Sequence, residues 1–350
     1  MLMKAKYVYH PLNFIKPGGT SRGILHDKDS WFLTVEQDGR SAYGECSTIK
    51  GLSLDSQDDV NEALEDICHQ INEGIWPDER HYGNLPAVRF CLEQAALAMQ
   101  HDVGFKLFDN DFLSGKPIPI NGLVWMGTKS FMFDQIKDKI EAGFNCIKLK
   151  IAAIDFEEEL SLIKFIRDQF DESKMQIRVD ANGGFDVEEV QEKLKRLSDF
   201  AIHSIEQPIG VGQHDEMAEL CEKNILDIAL DEELIGVHER ASKSKLLSDI
   251  RPQYIILKPS LIGGFRSADE WIDLARGMDI EWWATSALES NLGLNAIAQW
   301  VSNYEIDMPQ GLGTGQLFSN NIASPLVIKD AQLIYDRSLH WDIEKIYEFH

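Results

Sequence analysis

Seven residues recur along the chain at nearly the same interval, and most of them are polar types that seldom lie in a protein core. Each follows a short apolar run, and the step from one to the next is 25–30 residues. A strand, a helix and two short loops occupy roughly 25–30 residues, so the interval indicates repeated βα units. The seven residues are Lys150, Asp180, Glu206, Asp231, Lys258, Ser286 and Gly311. One side chain from each unit is therefore expected to reach a common place at the mouth of a parallel barrel.

The predicted strands alternate between apolar and polar side chains. In the segment 146–151, alternation separates the apolar residues on one face from Lys148 and Lys150 on the other. The residues that alternation directs to the barrel axis are Lys148, Lys150, Asp180, Asp231 and Lys258. The alternative is an open sheet with one solvated face. Helical stretches separate every pair of strands, however, and a sheet with such crossovers is normally covered on both faces.

Charge and cysteine content exclude several classes of protein. The 58 acidic and 34 basic residues give a formal net charge of −24, whereas nucleic acids and anionic membranes bind cationic faces, so neither is an expected partner. The five cysteines include no CxxC pair, which argues against a zinc knuckle or a disulfide framework. No apolar run has the length of a signal core or a membrane span. A cytoplasmic protein is expected, and the sequence predicts no oligomeric state.

The chain is predicted to comprise three segments. Residues 1–117 read as strands followed by helices, an α+β capping domain in which the glycine-hinged loop 14–23 serves as a lid. Residues 118–315 contain the repeated units and are predicted to form a modified TIM barrel of (β/α)7β type. Residues 316–350 hold short apolar pieces without a further βα unit. This last segment is expected to return to the capping domain.

Three of the repeated residues are carboxylates at successive strand ends, namely Asp180, Glu206 and Asp231. Oxygen ligands in this number suit a hard divalent cation such as Mg²⁺, with Mn²⁺ as a substitute, whereas zinc prefers His and Cys. No His occupies any of the seven positions. A single Asp at a strand end is commonly a helix N-cap. Three acids in adjacent units, with lysines on either side, favour a metal site instead.

Lys150 and Lys258 are predicted to face each other across the carboxylates, from the second and sixth barrel strands. A metal ion and a neighbouring ammonium group both disfavour the charged form of a lysine, so a neutral amine could remove a proton from carbon and return it. The metal could hold the carboxylate of a small-molecule substrate and stabilise the enediolate formed when its α-proton leaves. For Lys148 two roles are equally open, a structural one in orienting Lys150 or a ligand and a catalytic one.

These motifs resemble the enolase superfamily, in particular its muconate-lactonizing subgroup, over most of the chain. The motifs are Lys148-Leu149-Lys150, Asp180-Ala181-Asn182-Gly183, Glu206-Gln207-Pro208, Asp231-Glu232 and Lys258-Pro259. The resemblance implies an enolase-like fold in which the three acids bind Mg²⁺ and the two lysines, Lys150 and Lys258, are the acid/base pair.

Within the subgroup the chain is similar to the o-succinylbenzoate synthases, in the stretches 21–25, 285–293 and 311–315. That similarity implies a syn dehydration in menaquinone synthesis. Lys150 would remove the proton α to the ring carboxylate of 2-succinyl-6-hydroxy-2,4-cyclohexadiene-1-carboxylate and then protonate the departing hydroxyl, giving 2-succinylbenzoate. Lys258 would stay charged and stabilise the enediolate.

The succinyl arm of such a substrate is expected to lie away from the metal, under the lid, where Arg22 is the evident cation. Backbone amides near Ser286 and Gly311 are further candidate donors, because glycine permits close approach. A turn is an equally good reason for a glycine at 311. The residues assigned to substrate binding are Lys148, Asn182, Ser286, Gly311 and Arg22.

Two other functions stay open. A racemase of N-acylated, for example N-succinyl, amino acids or a dipeptide epimerase would use the same metal and both lysines. The segment 285–288 lacks the paired aspartates with which the dipeptide epimerases bind the substrate ammonium group. A barrel that binds metal and ligand without catalysis is disfavoured by the intact pair of lysines, and a metal-dependent hydrolase by the lack of a His cluster.

Overall fold

The computed structural model describes residues 3–20 and 23–344. The N-terminal lobe consists of β1 (Lys4–Tyr9), β2 (Leu12–Thr20), β3 (Gly23–Lys28), β4 (Ser30–Gln37), β5 (Arg40–Ser47), α1 (Gln57–Asn72) and α2 (Pro86–Ala98). Strands β1, β4 and β5 form an antiparallel sheet with β4 at its centre. Trp31 and Leu33 of β4 pack with Leu64 of α1 and Val88 of α2 in a core that belongs to this lobe.

The expected lid is a pair of strands rather than an irregular loop. β2 and β3 pair antiparallel, with a register shift between Asn13 and Gly18. Gly19 lies against the loop after the first barrel strand, where an added Cβ would come within 2.4 Å of the Met126 carbonyl oxygen. The hairpin is therefore seated directly on the rim of the barrel, and glycine is required for this close approach.

Seven parallel strands with helical crossovers make up most of the barrel. The strands are β7 (Gly122–Val124), β8 (Cys146–Lys150), β9 (Gln176–Asp180), β10 (Ser204–Glu206), β11 (Ile228–Leu230), β12 (Tyr254–Leu257) and β13 (Glu281–Ala284). The helices are α3 (Lys129–Glu141), α4 (Phe156–Arg167), α5 (Val187–Ser198), α6 (His214–Lys223), α7 (Arg240–Ile250), α8 (Pro259–Ile262), α9 (Phe265–Arg276) and α10 (Asn291–Val301). Sequential strands are neighbours throughout the sheet.

Residues 310 and 311 close the barrel as its eighth strand. Gln310 forms a parallel bridge with Ile120 next to β7, and Gly311 forms one with Thr285 next to β13. The Gly311 amide donates to the carbonyl oxygen of Ala284 at 2.8 Å. Seven βα units followed by a last strand give the predicted (β/α)7β arrangement, so the predicted fold class is confirmed.

Alternation along the strands divides the barrel into an outer apolar layer and a polar interior. Ile147 and Leu149 of β8 are buried in the core between sheet and helices, while Lys148 of the same strand reaches Glu206 on β10 at 2.6 Å. Deeper in the barrel the Arg178 guanidinium lies 4.1 Å from the centre of the Trp283 ring. The interior is thus filled by side chains and forms no open pore.

The C-terminal segment contacts the start of the barrel and the N-terminal lobe. It contains the hairpin of β14 (Leu326–Lys329) and β15 (Gln332–Tyr335), and β15 pairs with β6 (Ile118–Pro119). Phe318 forms a bridge with Phe14, and the Trp341 ring stacks on Phe105 with centroids 4.3 Å apart. The boundaries expected at residues 117 and 315 stay predictions.

All five cysteines are buried free thiols. Cys46, Cys68 and Cys91 lie in the core of the N-terminal lobe, and Cys221 lies in the core of the barrel. Across residues 3–20 and 23–344, no helix has the length and apolar character needed to cross a membrane.

An Asp followed closely by three glutamates is a typical helix start in a sequence, and helix α4 begins directly after Asp155. The Asp155 carboxylate accepts from the backbone amides of Glu157 at 3.0 Å and Glu158 at 3.3 Å. Asp186 precedes α5 in an equivalent position, but its side chain makes no capping hydrogen bond.

We expect Asp155→Ala to lower the free energy of unfolding by about 1 kcal/mol, because two helical amides lose their acceptor. Asp186→Ala is the matched control and should cost less, since only its favourable charge near the helix N-terminus is lost. Urea unfolding of both variants measures the difference. Equal losses would show that charge, and not the capping hydrogen bond, stabilises α4.

Candidate active site

A cavity lies at the carboxyl ends of the barrel strands, between the barrel and the N-terminal lobe. It encloses about 830 Å³, including the space at its open mouth. Lys148, Lys150 and Lys258 line it from the barrel, and Leu25 and Ile49 line it from the lobe. The repeated strand-end residues therefore do converge on one place, because the ends of parallel strands meet at one rim of a barrel.

Lys148 bridges two of the three carboxylates beneath the cavity. Its Nζ lies 3.0 Å from Asp180 Oδ2 and 2.6 Å from Glu206 Oε2. The Lys148 side chain is 6% exposed, and both acids are more deeply buried than that. Charges in such a site are tolerated only when they are paired and hydrogen-bonded. Lys148 is therefore part of the charge balance of the site.

The two facing lysines each pair with a different acid. Lys150 Nζ lies 2.5 Å from Asp180 Oδ2 and donates to Asn182 Oδ1 at 2.8 Å. Lys258 forms an ion pair with Asp231, and its Nζ is 3.8 Å from Glu206 Oε1. Lys150, at 12% exposure, is the more open to the cavity of the two lysines on β8.

Burial raises the pKa values of the three acids, the neighbouring lysines lower them, and the net shifts differ in direction. Burial, together with the negative charges of Asp180 and Asp231, raises the pKa of Glu206 well above its usual range. Burial also opposes ionisation of Asp180 and Asp231, but the neighbouring lysines outweigh it and lower the pKa of both carboxyls. Glu206 is thus the carboxylate least well compensated by the cations of this arrangement.

The donor set suits a hard divalent cation. Glu206 Oε1 is buried and has no hydrogen-bond partner among the described residues. Mg²⁺ prefers oxygen ligands, and protein sites for it use carboxylates together with water. Ammonium groups lie between the carboxylates, and within the described ranges no three His, Cys, Asp or Glu side chains are placed close enough together to hold a metal ion. A bound cation would therefore take the place of an ammonium group as the counter-charge.

Asn182 connects the β9 end of the site to the β11 end. Its amide nitrogen Nδ2 donates to Glu232 Oε1 at 2.9 Å, and its backbone amide donates to Asp180 Oδ1 at 3.0 Å. The backbone at Asn182 has a φ of 44°, a left-handed conformation that Asn adopts more readily than most residues. Asn182 and Glu232 both line the cavity.

Ser286 and Gly311 line the cavity, but their backbone amides are engaged elsewhere. The Ser286 amide donates to the Gly311 carbonyl at 3.0 Å and the Gly311 amide to Ala284, both in closing the barrel. These two amides are therefore not free to bind a substrate carboxylate. Glycine is needed at 311 because a Cβ would come within 2.5 Å of Thr285 Oγ1. Packing against β13, rather than a turn, accounts for this glycine.

Arg22 lies outside the described residues, and its substrate-binding role stays a prediction. Gln207 was named in the Glu206-Gln207-Pro208 motif but had no predicted role. Its Oε1 accepts from the backbone amide of Asp231 at 3.3 Å and so ties the ends of β10 and β11 together. Leu25 was named only within the stretch 21–25, and Ile49 carried no signal, because both reach the cavity through docking of the lobe.

Comparison of the chain with known proteins shows the family to which it belongs. Residues 132–333 match the family model described as enolase C-terminal domain-like. The chain is 46% identical to the o-succinylbenzoate synthase of Desulfotalea psychrophila, over 93% of this chain and 97% of that protein. It superposes on the crystal structure of MenC from the same organism with a TM-score of 0.84 and 42% identity, over 95% of this chain and all of that one.

A more distant neighbour shares the fold. The dipeptide epimerase of Cytophaga hutchinsonii, solved in complex with Mg and the dipeptide D-Ala-L-Val, superposes with a TM-score of 0.83 at 18% identity, over 99% of this chain and 98% of that one. The 46% identity to the Desulfotalea enzyme extends over nearly the whole chain, and residues 132–333 match the enolase-like family model. Together they show that the chain belongs to the o-succinylbenzoate synthase family of lyases, within the enolase superfamily.

Proposed function

We propose that the protein catalyses the Mg²⁺-dependent syn dehydration of 2-succinyl-6-hydroxy-2,4-cyclohexadiene-1-carboxylate to 2-succinylbenzoate, a step of menaquinone synthesis. The observation that carries the proposal is the meeting of Lys150 and Lys258 in one cavity above three buried carboxylates. The 46% identity to a curated o-succinylbenzoate synthase supports the choice of reaction.

Asp180, Glu206 and Asp231 are the proposed ligands of the cation. When bound, a divalent cation would hold the ring carboxylate of the substrate and stabilise the negative charge that forms on it as the α-proton leaves. The cation would also offset the repulsion among the three acids, and it would thereby stabilise the ionised form of Glu206.

Lys150 is the proposed base and then the acid. Its Nζ is within reach of the cavity and is oriented by Asp180 and Asn182. The proton that it takes from the α-carbon can be passed to the departing hydroxyl, because in a syn elimination both groups lie on one face of the ring. The ring becomes aromatic in this step, so the demand on the protein is modest.

Lys258 is the proposed electrostatic partner. Burial opposes its charge, but the carboxylates of Asp231, Glu206 and Glu232 outweigh it and raise the pKa of Lys258 above the ordinary value for lysine. A lysine with a raised pKa stays protonated at neutral pH and suits stabilisation of an anion better than proton abstraction.

The walls of the cavity suit an apolar ring. Leu123 and Trp125 from the barrel face the same space as Leu25 and Ile49 from the lobe. Such walls exclude water and strengthen the electrostatic interactions inside the site.

An N-succinyl amino acid shares the carboxylate and the succinyl group of the proposed substrate, so racemisation is the second candidate reaction. It would use Lys150 and Lys258 on opposite faces of the α-carbon.

Asp231→Asn should remove turnover and weaken metal binding while the fold persists, since one anionic ligand of a hard cation is lost. EDTA-treated wild-type protein should likewise be inactive and regain activity with added Mg²⁺. Activity assays and calorimetric titration with Mg²⁺ measure both effects. Asp227→Asn, at the other end of β11, is the matched control. Full activity after EDTA treatment would contradict the metal role.

Lys150→Ala should abolish both dehydration and exchange of the substrate α-proton with D₂O. Loss of a positioned general base typically costs on the order of 10²–10⁴ in rate, and here the same residue would act twice. Proton NMR in D₂O follows the exchange directly. Lys164→Ala, an exposed lysine on the next helix, is the control. Continued exchange in Lys150→Ala would assign the base to another residue.

Purified protein should dehydrate the cyclohexadiene carboxylate faster than it racemises N-succinyl amino acids. The physical reason is the gain of aromaticity in the first reaction and its absence in the second. The comparison requires kcat/KM for both substrates, from ultraviolet absorbance and from polarimetry. A higher kcat/KM for racemisation would overturn the assignment in favour of the second candidate.

A further inference from the structure

A second buried polar cluster adjoins the cavity and is centred on Glu289. The Glu289 side chain is fully buried. Its two oxygens each accept a hydroxyl hydrogen bond, from Ser286 Oγ at 2.5 Å and from Ser260 Oγ at 2.5 Å. Hydrogen bonds to an ionised acceptor are short and about twice as strong as those between neutral groups. Glu289 therefore fixes the rotamers of both serines.

The cluster spans the loops that follow three consecutive barrel strands. Ser260 lies on α8, two residues after Lys258, and Ser286 follows β13. Thr314, beyond the eighth strand, donates from Oγ1 to Ser286 Oγ at 2.8 Å. Ser286 and Thr314 both line the cavity. One buried carboxylate thus holds the part of the cavity wall made by these loops, directly at Ser286 and through it at Thr314.

Glu45 of β5 holds the neighbouring turn from the side of the lobe. Its oxygens accept from the amide of Ser290 at 2.8 Å, the hydroxyl of Ser290 at 2.5 Å and the amide of Gly293 at 2.8 Å. Gly293 is required here, because a Cβ would come within 2.7 Å of Glu289 Cβ. The segment 286–293 is therefore clamped between two buried carboxylates, one from each part of the fold.

We propose that Glu289 is a positioning residue for the substrate cavity, which holds Ser286 and Thr314 in the wall. The hydrogen bonds of Glu289 run to the serine hydroxyls of the loops, and Lys150, Lys258 and the three acids pair among themselves. Its loss should therefore act on substrate binding more than on the chemical step. The inference rests on the proposed function, since the KM of the dehydration substrate is its main readout.

The test compares Ser286→Ala, Glu289→Gln and the double variant. Each single change should raise KM about tenfold and leave kcat within about threefold, because ground-state binding is lost and the base is untouched. The double variant should be no worse than the worse single variant, since residues that act through one another are not additive. Glu289→Ala should be more severe than Glu289→Gln, which keeps an acceptor for one hydroxyl.

The matched control is Glu93→Gln. Glu93 is also a buried carboxylate between the lobe and the barrel, where it accepts from the backbone amides of Phe265 and Arg266, but it lies outside the cavity wall. Glu93→Gln should lower the melting temperature and leave KM unchanged. If it raises KM as much as Glu289→Gln, the effect is one of general destabilisation and the inference is overturned.

Turnover by the wild-type protein with an unchanged KM in Glu289→Gln overturns this inference alone, whereas absence of wild-type turnover overturns the proposed function and this inference together.

Discussion

Three acids and three lysines share the buried mouth of the barrel, and neither set is stable there without the other. Lys148 lies between Asp180 and Glu206, Lys150 pairs with Asp180, and Lys258 pairs with Asp231. Glu206 receives the least compensation, and one of its oxygens has no hydrogen-bond partner within the described chain. A bound cation would take over this compensation from an ammonium group, and the proposed chemistry of the site depends on that exchange.

The barrel makes this concentration of charge possible. Its parallel strands all end at the same rim, so charged groups from five different strands meet there. The apolar faces of the same strands pack against the helices. The free energy of that apolar burial offsets the cost of burying the charged cluster. Closure at residues 310–311 engages the amides of Ser286 and Gly311. A feature that completes the fold thus also limits which groups can bind a substrate.

The charged cluster and part of the cavity wall come from different parts of the protein. The three acids and the three paired lysines come from the barrel, whereas Leu25 and Ile49 enter the cavity from the N-terminal lobe. The clamp of Glu45 and Glu289 on the segment 286–293 joins the two parts. Dehydratases and racemases of one superfamily can therefore keep a common catalytic centre and differ in how the lobe and the late barrel loops shape the cavity.

The sequence by itself determined the βα period, the alternation of the strands, the N-cap at Asp155 and the set of acids and lysines, because each depends on residues close together in the chain. Only the tertiary structure decided that Lys148 joins the charge balance, that the segment expected to be a lid lies in a paired hairpin and that the amides of Ser286 and Gly311 are engaged. It also showed that Glu289 joins Ser260 and Ser286 in one buried cluster. These features depend on contacts between distant segments, and no local period or propensity encodes such contacts.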